Sequence, residues 1–584
     1  MSIDIKAVKP VSMRKIYTIL ASALISLTTI TVTSAQGVNF GGVNFDNDII
    51  SWSDLYNLSF TSHNYGTARS MAMGNAFTAL GADMVSASLN PAGIGMYVMD
   101  KNGAHNGNNV SLSLMMQFTK SPTKNSDSFY IGVPKKEQDF KDHTERFGMS
   151  SAGGVFSVFH STGALTNLNL GLVYNRIADF NQNMLNASYG NAATESMANI
   201  FCTLANVDGL QTTEEGKMYF GNDPYYWGPV AAYKNGLLNH DEQGWFIDRI
   251  SPDATIDQFS SVETRGCIGE YALTFGMNFI DRIYVGASIG MQDVRYRRNV
   301  FYGEDYIYAD GQYPNGEKYP YQLEYMDYLQ RTNISGSGIN FKIGITALPL
   351  EWLRIGVAYH SPTWYNVSMR YDLEMWSRTY SAGNNPDNYL IGPNKYMYDN
   401  VYSGIWEDAG PNSWRFRSPS RLLLGAAATI AKRVIISADY ERSWYQSTRL
   451  TGSSIAGLSY TSTMKEIFKG GSTVRVGAEV YVLPFLPVRA GYIWSGSTLR
   501  EDYEDIIAGH QMPTEQSIVS AGFGLQLNKI VYLDFAYQYS TTNYSSHQTF
   551  YAIDSLYPEM DIESRLFSTK TKRHMAIVTV GFRF

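Results

Sequence analysis

Cysteine is nearly missing from this chain: there are two in 584 residues, Cys202 and Cys267. That leaves room for one bridge at most, and the sequence leaves bridge and free thiols equally open. A strong excess of one charge sign is missing too. With 46 basic and 53 acidic residues the net charge is -7, so no nucleic-acid partner is indicated. Past Gln36 there is no run of 18 apolar residues, which excludes a transmembrane helix. The nine histidines are scattered, with no H-E-x-x-H pair and no phosphate-binding loop nearby, so no metal and no cofactor is expected.

Against these absences stand 42 tyrosines, 28 phenylalanines and 51 glycines. Tyrosine in excess of phenylalanine suits a place where one end of a side chain is greasy and the other wet, as at a membrane interface. The start of the chain reads as a secretion leader over residues 1–35. Arg14 and Lys15 are its basic part, Ile16 to Val32 its apolar stretch, and Thr33-Ser34-Ala35 the small residues before cleavage at Gln36. Met13, directly before Arg14, is a second candidate start.

The rest of the chain alternates. Leu353, Ile355, Val357 and Tyr359 oppose Arg354, Gly356, Ala358 and His360; Val474, Val476, Ala478 and Val480 oppose Thr473, Arg475, Gly477 and Glu479. Period two marks strands with one apolar and one polar face. Fourteen such strands are expected, near 110–118, 151–159, 168–177, 270–280, 282–292, 339–348, 352–361, 420–430, 433–442, 472–482, 487–496, 516–527, 531–540 and 573–584. Tight joints such as Ile280-Asp281-Arg282 and Ala431-Lys432-Arg433 alternate with the long connections 119–150, 178–269, 293–338, 362–419, 443–471, 497–515 and 541–572. Short periplasmic turns and long external loops are the plan of an outer-membrane barrel, and lipid demands that the sheet close. The expected fold is therefore all-β, a 14-stranded antiparallel transmembrane barrel over residues 108–584, in the outer membrane of a Gram-negative cell. Ala576, Val578, Val580, Phe582 and Phe584 alternate up to the chain end. A terminal Phe584 on such a strand resembles the signal read by the barrel-assembly machinery.

Residues 36–107 do not alternate. Tyr65 to Asp83 is rich in Ala, Met and Gly, and Asn90-Pro91-Ala92-Gly93 follows. Small residues suit short helical turns in a narrow space, ended by Asn-Pro. Placed ahead of the first strand, the segment is expected to rise from the periplasm into the lumen as a plug.

This stretch resembles the N-terminal hatch of the FadL-type outer-membrane transporters of long-chain fatty acids and hydrocarbons. The resemblance rests on Gly66-Thr67-Ala68-Arg69-Ser70-Met71-Ala72-Met73-Gly74-Asn75-Ala76, on Ala79 to Asp83 and on Asn90-Pro91-Ala92-Gly93. Weaker echoes are Tyr174-Asn175-Arg176 with Asp179-Phe180-Asn181, Gly336 to Asn340, Leu353 to Gly356, and His360 to Trp364. It implies a fourteen-stranded barrel with a hatch and passive uptake of hydrophobic molecules. On that basis Gly66, Thr67, Ala68, Arg69, Met71, Gly74, Asn90, Pro91, Ala92 and Gly93 are candidate hatch residues. Substrate would leave when the hatch shifts or through a lateral opening. The external loops depart from the pattern: Tyr302 to Asp310 is polar and tyrosine-rich, less greasy than a fatty-acid capture groove.

Lys342, Arg354, Arg475 and Glu479 fall on inward faces and are candidate lumen-lining residues. The expected partners are a hydrophobic small molecule, outer-membrane lipid and the assembly machinery. Two rival readings are an adhesive barrel working through its loops, and a hydrolase built on Gly286-Ala287-Ser288-Ile289-Gly290. That pattern needs a strand–turn–helix setting, whereas alternation runs straight through it. Arg295, Tyr296, Arg297 and Arg298 form a basic cluster at a strand's outer end.

Overall fold

The structure, a computed structural model, describes residues 64–98, 107–125, 143–207, 227–241, 244–250, 254–308, 322–380, 413–451, 464–500, 512–548 and 565–584, with shorter pieces at 39–40, 43–44, 52–59, 139–140, 210, 391–398, 550–552 and 562–563. The leader expected over residues 1–35 lies outside the described residues.

Fourteen strands close into one antiparallel barrel. They are β1 (Asn109–Lys120), β2 (His143–His160), β3 (Leu165–Asp179, continued by Gln182–Ala192), β4 (Ala254–Phe279), β5 (Ile283–Tyr308), β6 (Gln322–Leu350) and β7 (Leu353–His360, continued by Trp364–Tyr380). The rest are β8 (Arg421–Ile430, preceded by Ser413–Arg417), β9 (Val434–Ser443), β10 (Gly471–Leu483), β11 (Leu486–Ser495), β12 (Pro513–Gln526), β13 (Val531–Tyr544) and β14 (Leu566–Arg583). Closure comes from β14 on β1, in register from Arg583↔Asn109 to Lys572↔Lys120. Two of the short turns carry positive φ at both central residues, Ile280 and Asp281 after β4 and Ala431 and Lys432 after β8. That is the mirror-image geometry whose twist matches a hairpin's strands.

The side chains explain which face meets lipid. Leu112, Leu114 and Met116 on β1, Ile339, Phe341, Ile343 and Ile345 on β6, and Val578 and Phe582 on β14 are exposed apolar side chains. In water such a belt would be costly; in a bilayer it is the solvated surface. Between them Ser111, Ser113, Asn340, Lys342, Thr346 and Thr579 point inward and are buried.

Several strands run far past the membrane. β4 and β5 have 26 residues each and β6 has 29, where about 9–11 suffice to cross. Much of what reads in sequence as the loops 178–269, 293–338 and 362–419 is thus wall. The reason is that the two faces exchange chemistry without any slip in register. On β5, Ile283, Ile289 and Met291 face lipid, but higher up the inward positions Val294, Tyr296, Val300, Tyr302 and Tyr306 become the apolar ones. They form a core with α3 (Met197–Val207) and α4 (Trp227–Lys234), in which Trp227, Phe201, Tyr328 and Tyr371 are buried. Glu304 fastens this external cap: it accepts from Ser196 Oγ (2.5 Å), Met197 N (2.9 Å), Tyr302 OH (2.5 Å) and Tyr306 OH (2.6 Å).

The arginine cluster of β5 is divided by the same alternation. Arg298 pairs with Asp54 (3.0 Å) and Tyr296 OH donates to Asp54 Oδ1 (2.6 Å), both inside the barrel. Arg295 is exposed beside Asp293. Asp54 belongs to α1 (Trp52–Ser59), an N-terminal helix whose Leu55, Tyr56 and Leu58 join the outer core. Earlier still, Asn39–Phe40 pairs with Phe550–Ala552 of the external connection between β13 and β14. The N-terminal segment therefore descends from the outer side instead of rising from the periplasm. Strand parity fixes only where β1 starts, not where the preceding chain has been.

Cys202 lies on α3 with its thiol against the Phe246 carbonyl (3.1 Å), and Cys267 lies on β4 opposite Asp179. Both are free thiols, so the bridge the sequence permits is not formed.

Candidate functional site in the barrel lumen

Residues 64–98 fill the barrel at the level of the membrane as a stack of short turns, each started by its own side-chain cap. Thr67 caps α2 (Ala68–Ala72) by accepting from Ser70 N, Asp83 caps the 3-10 turn Met84–Ala87 through Val85 N, and Asn90 caps Pro91–Met96 through Ala92 N. Capping satisfies amide groups that would otherwise be orphaned in a dry interior. Thr67 Oγ1 also donates to the Asp83 carboxylate (2.8 Å), tying the first turn to the second. Gly74 and Gly81 take φ of +59° and +65° where the path doubles back, a conformation that glycine adopts without strain.

The wall grips this segment mostly by its backbone. Thr579 Oγ1 accepts from Ala68 N (2.7 Å), Gln538 donates to Met71 O (2.9 Å), and Ser520 donates to Ala72 O (3.0 Å). Asp439 accepts from Thr78 N (2.8 Å), Arg354 donates to Leu80 O (2.6 Å), and His360 Nε2 meets Leu89 O (2.7 Å). Asn90 donates to Thr346 (3.1 Å), Ser88 to Glu270 (2.9 Å), and Asn169 to Ile94 O (2.8 Å). These partners come from β3, β4, β6, β7, β9, β12, β13 and β14, so contact runs around the circumference. Every such bond satisfies a group that has no water to turn to.

Between the polar contacts lies a girdle of glycines. Gly276, Gly286, Gly344, Gly356, Gly425, Gly477 and Gly491 face inward in mid-strand, and a methyl added to any of them would overlap the segment. The atoms met are Gly95 and Ile94, Pro91 and Ala92, Asn90, Thr78, Thr78 again, Met73 and Gly74. Register places Gly276 opposite Gly286, Gly286 opposite Gly344, Gly356 opposite Gly425, and Gly477 opposite Gly491. Glycine in mid-strand weakens a sheet; here it makes room for the backbone of the segment.

The four residues expected to line the lumen all face inward, and each has a partner. Lys342 pairs with Glu270, which also accepts from Gln292 (2.8 Å) and Asn340 (3.1 Å). Arg475 pairs with Glu441 (2.6 Å), and Arg421 approaches the same carboxylate (3.4 Å). Glu479 is held between Arg69 of the segment (3.2 Å) and Arg489 (2.6 Å), which also reaches Asp534. Of the hatch candidates, Gly66 bonds Ser150, and Pro91, Ala92 and Gly93 are buried in the last turn. Glu270, Glu441, Asp439, Arg489, Asp534 and the glycines escape sequence reasoning. Their only signal is small or charged residues in strand centres, a signal shared with any wet lumen.

On the outer side of the segment is a cavity of about 110 Å³, between α1, the start of the segment and the wall. Tyr56, Phe180, Ile518 and Met575 give it apolar patches; Asp179, Gln182, Gln516, Gln538 and Arg573 give it polar ones. It adjoins a break in the wall. β3 pairs with β4 up to Asp179↔Cys267 and resumes at Gln182↔Thr264, leaving Phe180 and Asn181 out of the ladder. Opposite, Gly266 has a φ of +119° and its carbonyl accepts from Phe180 N, Arg146 and Asn181.

Ser288 lies on the straight run of β5, buried and bonded to Thr274 Oγ1 (2.9 Å). It has no strand–turn–helix elbow around it. Among the described residues there is no cluster of metal-binding side chains.

No curated protein matches this sequence. In shape the chain is similar to the toluene transporter TbuX of Ralstonia pickettii, with 13% identity, 90% of this chain and 100% of that chain covered and a TM-score of 0.43. It is also similar to a FadL homologue of Pseudomonas aeruginosa (13% identity, 90% and 98% covered, TM-score 0.44) and to the toluene transporter TodX of Pseudomonas putida (11%, 89% and 98%, 0.43). Residues 281–584 match the family described as outer membrane protein transport protein (OMPP1/FadL/TodX). That match spans just over half of the chain, and the chain belongs to this family of outer-membrane transport proteins.

Proposed function

We propose that this barrel takes up hydrophobic small molecules passively, with residues 36–107 acting as its hatch. The observation that carries the reading is the seating of residues 64–98. The segment lies across the lumen at membrane level, held by hydrogen bonds and ion pairs instead of being woven into the sheet. A path for a greasy molecule must then pass the segment or leave through the wall. The break at Phe180 and Asn181 adjoins the cavity, and we take it as the lateral exit. The lining, half polar with Arg573 in it, suits an apolar chain with a polar or acidic head better than a plain hydrocarbon.

Proteoliposomes test this. Uptake of a labelled long-chain fatty acid and leak of a small polar solute are compared for the wild type and a deletion of residues 36–107. The deletion is expected to raise the leak sharply; unchanged leak and unchanged uptake would remove the hatch role.

The structured cap of α3 and α4 over the extended strands favours a second reading, in which the outer face binds a partner. Loss of cell or matrix adhesion on deleting residues 197–234, with uptake intact, would support it.

A further inference from the structure

We propose that the seam where β14 meets β1 carries a binding site for phosphate groups of the outer-leaflet glycolipid. Lys120 and Lys572 stand directly opposite each other in the register that closes the barrel, and both face outward, exposed. Lys570 follows two residues along β14 on the same face, and His143 of β2 is opposite Lys120 on its other side. Like charges directly opposite on neighbouring strands repel at about 5 Å between Cβ atoms, so an arrangement of this kind calls for an anion.

The described residues supply few. Among the described residues no ion pair involves Lys120, Lys570 or Lys572, and the nearby outward carboxylate is Glu145, one rung lower, opposite Phe118. Elsewhere on the outer rim three outward arginines do have carboxylates, Arg265 with Glu263, Arg295 with Asp293 and Arg378 with Glu324, while Arg297 has the neutral Asn333. Among the described residues the three lysines thus lack the carboxylate that Arg265, Arg295 and Arg378 have, in a chain whose net charge is -7.

Height decides what the anion is. Lys120 is the last of the 12 residues of β1. At ~3.4 Å per residue and a tilt near 40° it sits roughly 29 Å above Asn109, at the top of an apolar band about 25 Å tall. Directly beneath are Leu112, Leu114 and Met116 on β1, Phe147 on β2 and Tyr537 on β13, all exposed. The lysines thus stand at the headgroup level of the outer leaflet, where the phosphates of a glycolipid lie. Lysine is a point-charge phosphate ligand that needs no fixed geometry.

The test uses full-length protein in mild detergent, the wild type beside K120Q/K572Q and K120R/K572R. The probes are a bis-phosphorylated disaccharide lipid and the same lipid without phosphates, read by native mass spectrometry, with uptake measured in parallel. The wild type and the arginine variant are expected to prefer the phosphorylated lipid roughly tenfold or more, and the glutamine variant to lose that preference while uptake is unchanged. Equal retention of both lipids by the wild type, or an unaltered preference in K120Q/K572Q, would overturn the proposal. So would competition by inorganic phosphate at the lipid's own concentration, since the site would then hold a free ion.

Discussion

Arg69 and Glu479 lie 410 residues apart and meet inside the barrel through two contacts, Nε to Oε2 and Nη2 to Oε1, each 3.2 Å. The same guanidinium donates to Ala82 O (3.1 Å) and lies over the Phe77 ring (5.4 Å). One side chain thereby joins the first turn of the lumenal segment, its second turn and the wall.

Arg69→Ala is expected to loosen the segment without unfolding the barrel. Breaking a buried ion pair costs about 3–5 kcal/mol; the loss here is smaller, roughly 1–3 kcal/mol, because Glu479 keeps Arg489 and Arg69 is partly exposed. Planar-bilayer recordings should show more frequent or larger openings. Conductance equal to the wild type's would mean that this pair does not hold the segment.

Gly356→Val and Gly477→Val place branched side chains where Thr78 and Met73 now pack. The fold should survive, since valine favours strands, but the segment should be displaced. A cysteine introduced at Thr78, now buried, is expected to become reactive towards a small maleimide in either variant. Continued protection would show that the wall adapts instead.

Gly266→Val addresses the break in β3. The φ of +119° is open essentially to glycine alone, so strain of about 1–3 kcal/mol is expected to reshape the strand there. Fatty-acid uptake should fall while leak of polar solutes stays at its wild-type level. If both change together, the break is not a separate exit.

Glu304 gives the cap a pH dependence. It lies 22 residues into β5, roughly 55 Å up the barrel axis and clear of the bilayer. Burial raises its pKa against the four hydrogen bonds that favour the carboxylate. A raised pKa in the folded state means that folding of the cap takes up a proton. Its contribution is full below the ordinary carboxylate value and is lost as pH rises through the shifted one. Hydrogen exchange in α3 should be faster at pH 8 than at pH 5 after correction for the intrinsic rate, and Glu304→Gln should flatten the difference.

Cys202 and Cys267 should run identically on gels with and without reductant. Burial pushes the Cys202 thiol up to about 12, leaving on the order of one part in ten thousand as thiolate at pH 8. Cys202 is therefore expected to label only after denaturation. A mobility shift on reduction would show a bridge.

Strand type, strand number and the lipid-facing side were legible in the sequence because each depends on period two, a relation between residues two apart. Ile343, Ile345 and Ala347 announce an outward face whatever lies beside them, and tight turns at 280–281 and 431–432 set the count. The small residues of 66–93 announced a segment that is not wall. What tertiary structure alone decided depends on register across the barrel. That Gly356 should face Thr78, that Arg69 should find Glu479, or that Lys120 should sit against Lys572 follows only when the sheet has closed. The apolar inner face of β5 above Val294 was hidden for a related reason: alternation looks the same with either side turned to water, and only the packing of α3 and α4 against it shows which side is dry.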